Sequence, residues 1–480
     1  MKEKIYNNKM LSIIFLIAIT LLIRLYCISN PIYDMQYWRQ ADTASMAKNF
    51  YEEGMNIFYP TVNWRGDTKG YVESEFPLYQ YTVALIYKIF NKTNDIIGRL
   101  LSVFFAIISV LYLYKFTLII FDYKTAFLSA LFYSIAPLSV YYTRTFMPES
   151  MMMCFVIMVL YYFYLWVQND KYSDWLLAIV FGSLAILLKL TSVVFLGVMF
   201  LMLIQKHGKD FIQRKNALLF LGLVSILPTL WYIHAYNLYL ETNLSFGVIA
   251  KCGFSKFSDL NLLLSPEFWM QNIDRLFGTV LSPIGGTLFV LSFLLSCFNK
   301  EILNKNIFLN GWVVIYIIFV LTVGNGVKIL EYYNIIIVPV VGIYIARFLI
   351  IVANLLFLKK SQVTGLFLGI IYIGIFISGF SHIYGYYNPR EFRRLSIDFA
   401  GDVNSYSTSK DLFIVVDIWG EYDNTWYDSM NNRIHSPCML YYLNRKGWEI
   451  LPHEFLALPV SGFDDLVKNG AKYLLIPKAL

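Results

Sequence analysis

Long runs of apolar residues, each close to the length of a helix that crosses a bilayer, recur between residues 10 and 385. A helix rises about 1.5 Å per residue, so roughly 20 apolar residues cross the hydrocarbon layer. With 58% hydrophobic and 15% charged residues, the chain has too much apolar surface and too little charge for a soluble fold. The sequence therefore predicts an all-α polytopic membrane protein.

The apolar runs and the basic clusters together predict about eleven transmembrane helices. The predicted spans lie at about 10–28, 96–119, 126–142 and 150–167, as a pair within 175–204, and at 216–237, 276–297, 308–324, 333–351 and 363–385. The pair is short for two crossings and is interrupted by Lys-Leu-Thr-Ser at 189–192, so we expect short or partly re-entrant helices there. Basic clusters at 2–9, 206–215, 300–305 and 359–360 place the N-terminus in the cytoplasm and the last segment outside.

Two large loops and a charged C-terminal segment complete the predicted organisation. The first outer loop covers residues 29–95 and the second covers 239–274. Residues 1–385 form the predicted transmembrane domain. Residues 386–480 are predicted to form a small extracytoplasmic α/β domain, because β-rich runs at 413–417 and 473–477 alternate with helix-like sequence at 463–471. This domain has no phosphate loop or dinucleotide fingerprint, and it serves either as a lid or scaffold or in acceptor binding.

Several classes of function are excluded or not indicated. The net charge of +7 follows from short basic loops, so no nucleic-acid partner is predicted. The five cysteines are scattered, without metal-binding spacing or a disulfide framework. No HExxH motif, nucleotide-type DxD motif or histidine cluster is present, so no cofactor is required and a divalent cation, although possible, is not indicated.

The unusual charged residues fall on the outer side of the predicted topology. They are Asp34, Arg39, Asp42, Glu73, Glu75, Arg144, Glu149, Lys189 and Glu331. A transporter usually carries its charges near the bilayer midplane between repeated halves. Here the spans are nearly free of carboxylates and no internal repeat is visible. The pattern favours chemistry at the outer membrane surface.

Four segments resemble the GT-C glycosyltransferases in their order and spacing. They are Asp34 at the opening of the first loop, EFPLY at 75–79, RTFMPE at 144–149 and EYYNIIIVPV at 331–340. The closest branches are the protein O-mannosyltransferases and the aminoarabinose transferases that modify lipid A. The resemblance covers roughly residues 10–350. It implies transfer of a sugar from a polyprenyl-phosphate carrier in the cell membrane to a glycan, lipid or protein acceptor on the extracytoplasmic side.

The resemblance also assigns catalytic roles to two acidic positions. Asp34 is the general base for the acceptor, and direct attack opposite the phosphate inverts the anomeric centre. The alternative is that Asp34 only caps a helix. Glu149 matches the second acidic position of the family, where it orients the acceptor or holds Arg144 in place. We expect Asp34 and Glu149 to meet at the outer rim of the membrane.

Cationic residues are needed for the developing phosphate charge. Arg144 is the candidate for a bidentate grip, although an ordinary interfacial pair with Glu149 would leave the same sequence pattern. Lys189 is either a phosphate ligand or a lysine that reaches to the membrane surface. The aminoarabinose branch has Lys where this chain has Phe76, so Arg39, Arg65, Lys69 or Lys189 is expected to substitute.

Supporting roles are predicted for Glu75, Glu331 and His234. Tyr332 and Tyr333 bind the headgroup or prenyl chain, or else belong to the aromatic belt of any membrane protein. His234 assists acceptor or metal binding, or is structural. The run 77–90 is amphipathic enough to lie along the membrane.

Two other functions compete with glycosyl transfer. A flippase or exporter of lipid-linked sugars predicts functional charges within the spans and internal repeats. A polysaccharide ligase predicts Arg and His as the leading residues, whereas this chain opens its first loop with an acidic residue.

Overall fold

The computed structural model of the chain describes residues 2–298, 306–357, 361–388, 391–416 and 437–476. The chain divides into two compact units. We call them the helical unit, which comprises Met1–Ile28, Leu100–Leu230 and Lys256–Gly385, and the mixed unit, which comprises Ser29–Arg99, Trp231–Ser255 and Tyr386–Leu480. The basic residues predicted for inner loops at 300–305 and 359–360 lie outside the described residues.

Most of the described chain is α-helical. The helices before residue 208 are α1 Lys2–Leu25, α2 Tyr37–Glu53, α3 Leu78–Phe90, α4 Asp95–Ile120, α5 Tyr123–Ile135, α6 Pro137–Tyr142, α7 Glu149–Asn169, α8 Tyr172–Leu188 and α9 Phe195–His207. The next are α10 Lys215–Thr242, α11 Leu260–Leu264, α12 Pro266–Arg275, α13 Pro283–Phe298, α14 Ile307–Thr322, α15 Gly324–Ile329, α16 Val338–Phe357, α17 Ser361–Ile383 and α18 Glu391–Tyr406. Short 3₁₀ segments precede α9 at Leu190–Val194 and α16 at Glu331–Ile337.

Six helical stretches among the described residues are long and apolar enough to cross a bilayer. They are Asp95–Ile120, Glu149–Asn169, Leu190–Phe211, Lys215–Thr242, Glu331–Leu356 and Gln362–Tyr387. A bent pair, Pro266–Val280 and Pro283–Phe298, would be a seventh span if it is counted as one. The protein is therefore a multi-pass membrane protein, but the predicted number of eleven spans is not confirmed. Three predicted spans correspond to shorter apolar helices, Met10–Leu25, Tyr172–Leu188 and Ile307–Thr322.

Local backbone breaks explain why several predicted spans are short. Pro137 has no N–H and forces Ala136 out of the helical region, so the predicted span at 126–142 is two helices, α5 and α6. The predicted span at 276–297 begins in a π-helical segment, Leu276–Val280, and bends by 111° before α13. The predicted interruption at 189–192 is present, because Lys189 has an extended backbone between α8 and the 3₁₀ turn.

Helix α3 corresponds to the amphipathic run predicted at 77–90. Its 13 residues reach only about 20 Å, which is too short to cross a bilayer. One face buries Tyr79, Val83 and Ala84, while Ile89 and Phe90 are exposed. The exposed apolar end is consistent with a helix that lies along a membrane. That placement stays a prediction.

The described part of residues 386–480 contains a small parallel sheet. Its strands are β1 Leu412–Val416, β2 Lys446–Ile450 and β3 Ala471–Leu475, in the order β2-β1-β3. Three further helices accompany them, α19 Cys438–Leu443, α20 Pro452–Ala457 and α21 Val460–Lys468. Alternate residues Phe413 and Val415 of β1 pack on Leu440 and Leu443 of α19. The α/β character predicted from the sequence is present, although residues 417 and 477 of the predicted strands lie outside the described residues.

We predict that Gly447→Ala disrupts the edge of this sheet. A Cβ atom at this position would lie 1.8 Å from the carbonyl oxygen of Phe413. Gly447 also donates to Asn63 O at 3.1 Å and accepts from Gly66 N at 2.7 Å, so it cannot move away freely. The unfolding midpoint in detergent should fall by about 5 °C or more. The matched control is Gly401→Ala in α18, where nothing lies within 4 Å of the new Cβ; equal midpoints for the two variants would contradict the prediction.

Candidate active site

Asp34 lies in the turn that leads into α2, and its side chain is almost completely buried. Gln40 Nε2 donates to Asp34 Oδ1 at 2.6 Å, and Arg99 Nη2 forms an ion pair with Asp34 Oδ2 at 3.2 Å. The alternative that Asp34 caps the helix does not hold, because the N-cap position of α2 is Gln36. Asp34 is thus a carboxylate held in one orientation by an amide and a guanidinium group.

Arg99 fixes the chain around Asp34. It lies in the second turn of α4 and is fully buried. Besides Asp34, its guanidinium donates to the carbonyl oxygen of Asn30 and, at 3.5 Å, to that of Pro31. Neither Arg99 nor Gln40 was predicted from the sequence. An arginine one turn inside an apolar helix is a weak signal that a carboxylate lies nearby, because arginines near helix ends also have other partners.

Arg39 and Glu75, predicted separately as a phosphate ligand and a supporting residue, pair with each other. Arg39 Nη2 lies 2.7 Å from Glu75 Oε2, and both side chains are mostly buried. The Arg39 guanidinium also lies 5.3 Å from the ring centroid of Phe246. This pair joins α2 to the EFPLY segment.

Asp42 is a second buried carboxylate on α2. Its Oδ1 accepts a hydrogen bond from Trp64 Nε1 at 2.9 Å. Burial raises the pKa of Asp42 to about 7, although the bond from Trp64 and the charge of Arg39 act in the opposite direction. Asp42 was predicted to lie on the outer side, without a functional role.

His234 and Lys69, two further predicted residues, also lie in the mixed unit. His234 Nε2 bonds with the carbonyl oxygen of Phe58 at 2.7 Å, and its ring packs against Tyr59 and Trp231. This environment supports the structural alternative for His234. Lys69 is exposed, with Nζ 5.8 Å from the ring centroid of Tyr71.

Glu149 and Lys189 form a buried ion pair in the helical unit. Glu149 is the first residue of α7, and Lys189 lies at the extended break after α8. Lys189 Nζ contacts Glu149 Oε1, and Lys189 is only 4% exposed, so it does not reach to the surface as a snorkelling lysine would. Among the described residues, Glu149 Oε2 has no hydrogen-bond partner.

Two tyrosines complete the surroundings of Lys189. Lys189 Nζ lies 4.3 Å from the ring centroid of Tyr332 and 5.1 Å from that of Tyr333, within the range of a cation–π interaction. Both rings are buried, unlike those of a lipid-facing aromatic belt. The structure therefore brings together four residues that the sequence analysis singled out one by one: Glu149, Lys189, Tyr332 and Tyr333.

Glu331 and Arg144 have separate partners in the helical unit. Tyr142 Oη donates to Glu331 Oε1 at 2.6 Å, and Thr279 Oγ1 donates to Glu331 Oε2 at 3.4 Å. Arg144 is fully buried, with Nη2 donating to Cys27 O at 2.6 Å and its guanidinium 5.7 Å from the ring centroid of Tyr141. Tyr142 links Glu331 to the tyrosine pair, because its ring lies 5.4 Å from that of Tyr332.

The described residues include no group of three or more His, Cys, Asp or Glu side chains that could hold a metal ion. The acidic residues above are instead matched with Arg, Lys, Gln, Trp or Tyr side chains. The groups available for chemistry thus include a carboxylate at Asp34 and an ammonium group at Lys189.

The chain resembles known proteins both in part of its sequence and in its structure. The profile of a family described as dolichyl-phosphate-mannose-protein mannosyltransferase matches residues 74–232, about a third of the chain. No curated protein sequence matches significantly. The structure resembles that of ArnT from Cupriavidus metallidurans bound to undecaprenyl phosphate, with a TM-score of 0.64 at 11% identity over 96% of this chain and 89% of ArnT. It also resembles the apo oligosaccharyltransferase of Archaeoglobus fulgidus, with a TM-score of 0.55 at 12% identity over 97% of this chain and 69% of that one.

The chain has the GT-C fold. The resemblance inferred from the four sequence segments is confirmed at this level. The matched family region contains Glu75, Arg144, Glu149 and Lys189, and it ends just before His234. The matches support a membrane glycosyltransferase in general terms, whereas the roles of individual residues stay predictions.

We predict that the pKa of Asp42 makes stability depend on pH. Between about pH 4 and pH 7 the unfolded chain loses this proton while the folded chain keeps it, so the free energy of unfolding falls as pH rises through this window. About three pH units at about 1.4 kcal/mol each give an effect of order 4 kcal/mol. Asp42→Asn retains an acceptor for Trp64 and should remove the effect.

The measurement is the thermal unfolding midpoint of the wild type and of Asp42→Asn at pH 5 and pH 8. The variant should exceed the wild type at both pH values, and the difference should be clearly larger at pH 8, because most of the window from about pH 4 to pH 7 lies above pH 5. The control is Asp67→Asn, at an exposed position that lies, like Asp42, within the predicted first outer loop. If the wild type and Asp42→Asn differ equally at both pH values, the ionisation of Asp42 is not responsible.

We predict that Lys189→Met strongly destabilises the protein, because it leaves the Glu149 carboxylate buried without its cation. The expected loss is about 3–5 kcal/mol in the free energy of unfolding. The double variant Glu149→Gln/Lys189→Met should recover most of this stability, since no uncompensated charge remains. Asp170→Asn breaks an exposed ion pair with Arg214 and should cost less than about 1 kcal/mol. A Lys189→Met protein as stable as the wild type would rule out the buried pair.

Proposed function

We propose that this chain is a membrane glycosyltransferase that moves a sugar from a polyprenyl-phosphate carrier to an acceptor, with Asp34 as the general base. The observation that carries the proposal is the buried Asp34 carboxylate, held by Gln40 and Arg99 at the start of α2 in a chain with the GT-C fold. Two proteins of similar fold were solved with lipid phosphates. ArnT was bound to undecaprenyl phosphate, and the Archaeoglobus fulgidus enzyme AglB was in complex with dolichol-phosphate and an inhibitory peptide.

In the proposed reaction, a hydroxyl or amine of the acceptor attacks C1 of the sugar. The new bond to C1 forms as the bond from C1 to the phosphate oxygen breaks, and the configuration at C1 inverts. The acceptor proton passes to the Asp34 carboxylate, and the carrier leaves as a polyprenyl phosphate. Arg99 pairs with one oxygen of Asp34, and the Gln40 amide donates to the other, so the direction of the carboxylate is fixed before the reaction.

Lys189 is the proposed cation for the phosphate. It is the buried ammonium group beside Glu149, and two tyrosine rings flank it. Glu149 orients Lys189 before the donor binds. An arriving phosphate would then share the ammonium group with Glu149. Tyr332 and Tyr333 would then contact the sugar or the first prenyl unit.

The other predicted residues take supporting places in this proposal. Glu75 orients Arg39, and Glu331 holds Tyr142 beside Tyr332. Several assignments stay predictions. They are phosphate binding by Arg144 and Lys69, a role for His234 at the acceptor, and the meeting of Asp34 with Glu149. So does the orientation in a cell membrane, with the N-terminus in the cytoplasm and the sheet-containing segment outside.

The deciding experiment assays purified protein with a panel of polyprenyl-phosphate sugars and scores release of the carrier phosphate. Asp34→Asn keeps the shape and the bond to Gln40 but removes the base, so transfer should fall by about 10³-fold. Because the change also leaves Arg99 buried without its anion, the rate is compared only for protein whose folding is verified by its unfolding midpoint. Binding of the carrier lipid should remain. Asp67→Asn, an exposed acidic residue of the same loop, should transfer at the wild-type rate.

Two results would contradict the proposal. Failure of the wild type with every polyprenyl-phosphate sugar excludes this donor class. Movement of a lipid-linked sugar across vesicle membranes that is unaffected by Asp34→Asn would identify an exporter.

A further inference from the structure

A cavity of about 350 Å³ opens in the mixed unit. Its volume lies at the lower end of the range of roughly 300–1,000 Å³ that is typical of small-molecule sites. Helices α2, α3 and α19, the turn between α3 and α4, and the first residue of α4 contribute its walls. The lining side chains used below are those of Lys48, Tyr87, Asn94, Asp95, Tyr441 and Tyr442.

The tyrosine rings of the cavity are held in place. Tyr441 Oη hydrogen-bonds with Asp95 Oδ1. The ring of Tyr442 stacks on that of Tyr33, with centroids 4.8 Å apart and planes at 12°. Tyr87 meets Tyr51 edge-to-face, with centroids 6.1 Å apart. Rigid aromatic rings offer flat apolar surfaces at a low cost in conformational entropy.

The polar groups of the cavity balance each other in charge. Lys48 supplies one cation, 5.9 Å from the ring centroid of Tyr441, and Asp95 supplies one anion. Asn94 adds an amide at the exposed rim. Burial lowers the pKa of Lys48, while the charges of Glu52 and Asp95 act in the opposite direction. A phosphate or carboxylate ligand would meet the Asp95 carboxylate, whereas a neutral ligand rich in hydroxyl groups can bond to both charged groups.

This combination matches the chemistry of a sugar ring. A sugar presents hydroxyl groups that donate and accept at its edge, and C–H groups on its faces that pack on aromatic rings. The lining of the cavity consists of tyrosine rings and hydrogen-bonding side chains, with no aliphatic side chain among them. An apolar lipid chain would leave those polar groups unpaired.

The cavity is also linked to Asp34. Tyr33, which stacks on Tyr442, is the residue that precedes Asp34 in the chain. Asp95 lies one helical turn before Arg99, which binds Asp34. A ligand in the cavity would therefore bind within the same unit, beside the segments that position the proposed base.

We propose that this cavity binds a neutral mono- or disaccharide and serves as a subsite for a glycan acceptor. The identification as an acceptor subsite rests on the proposed function, whereas saccharide binding itself does not. The acceptor class that the site favours is accordingly a glycan or glycoconjugate with an uncharged sugar.

The test is titration of the purified full-length chain with a panel of neutral mono- and disaccharides, with inorganic phosphate as the anionic probe. At least one neutral sugar should bind and phosphate should not compete with it. Lys48→Ala should weaken binding at least about tenfold, and Thr93→Trp should abolish it by filling the cavity. Lys92→Ala, at an exposed lysine next to the turn, is the matched control and should bind like the wild type.

A second measurement needs no variant. The bound saccharide should protect Lys48, but not Lys92, from acylation in the wild-type protein, as read by mass spectrometry. Three results would overturn the proposal. The wild type could bind no neutral saccharide, or phosphate could compete with the saccharide. Binding could also survive both Lys48→Ala and Thr93→Trp without protecting Lys48.

The two proposals can fail separately. Asp34→Asn should lose sugar transfer and keep saccharide binding. Saccharide binding in a wild type that uses no polyprenyl-phosphate donor would leave the subsite standing and remove the proposed function.

Discussion

An ionised side chain that loses its water in a protein interior must find an opposite charge and hydrogen bonds to replace it. This constraint governs both groups of candidate residues. Asp34 with Arg99, and Glu149 with Lys189, are almost completely buried pairs that connect segments distant in the chain. Because breaking either pair would leave a buried charge, each pair favours the native arrangement of the segments that it joins. The side chains best suited to chemistry are thus also those that position their own surroundings.

Much of the helical architecture could be predicted from the sequence, because apolar runs of bilayer length require helices. The boundaries of α4 and α7 lie within about two residues of the predicted spans, and the break at Lys189 was visible as a polar interruption. The number of spans was not predictable in the same way. The hydropathy of a segment reflects its composition but not the direction of its helix axis. It therefore does not reveal the break before Pro137 or the 111° bend between Val280 and Pro283.

For the candidate site, motifs identified single residues but not their partners. Glu149 and Lys189 were both singled out, yet nothing in the sequence showed that they pair across 40 positions. Arg39 was expected to bind phosphate, which stays a prediction, and nothing in the sequence showed that it pairs with Glu75. Arg99 was overlooked because an arginine near a helix end has many ordinary explanations. Which residues pair depends on the tertiary structure. The sequence indicates a buried pair only where a charged residue interrupts an apolar segment.

The mixed unit draws on three stretches of the chain that are far apart in sequence. Asn30 Nδ2 donates to Tyr387 O at 2.6 Å, and Met35 N donates to Tyr386 O at 3.2 Å, on either side of Asp34. During translation, the ribosome must therefore add some 350 further residues before the environment of Asp34 can close. A newly inserted chain spends that interval with the segment around Asp34 incomplete.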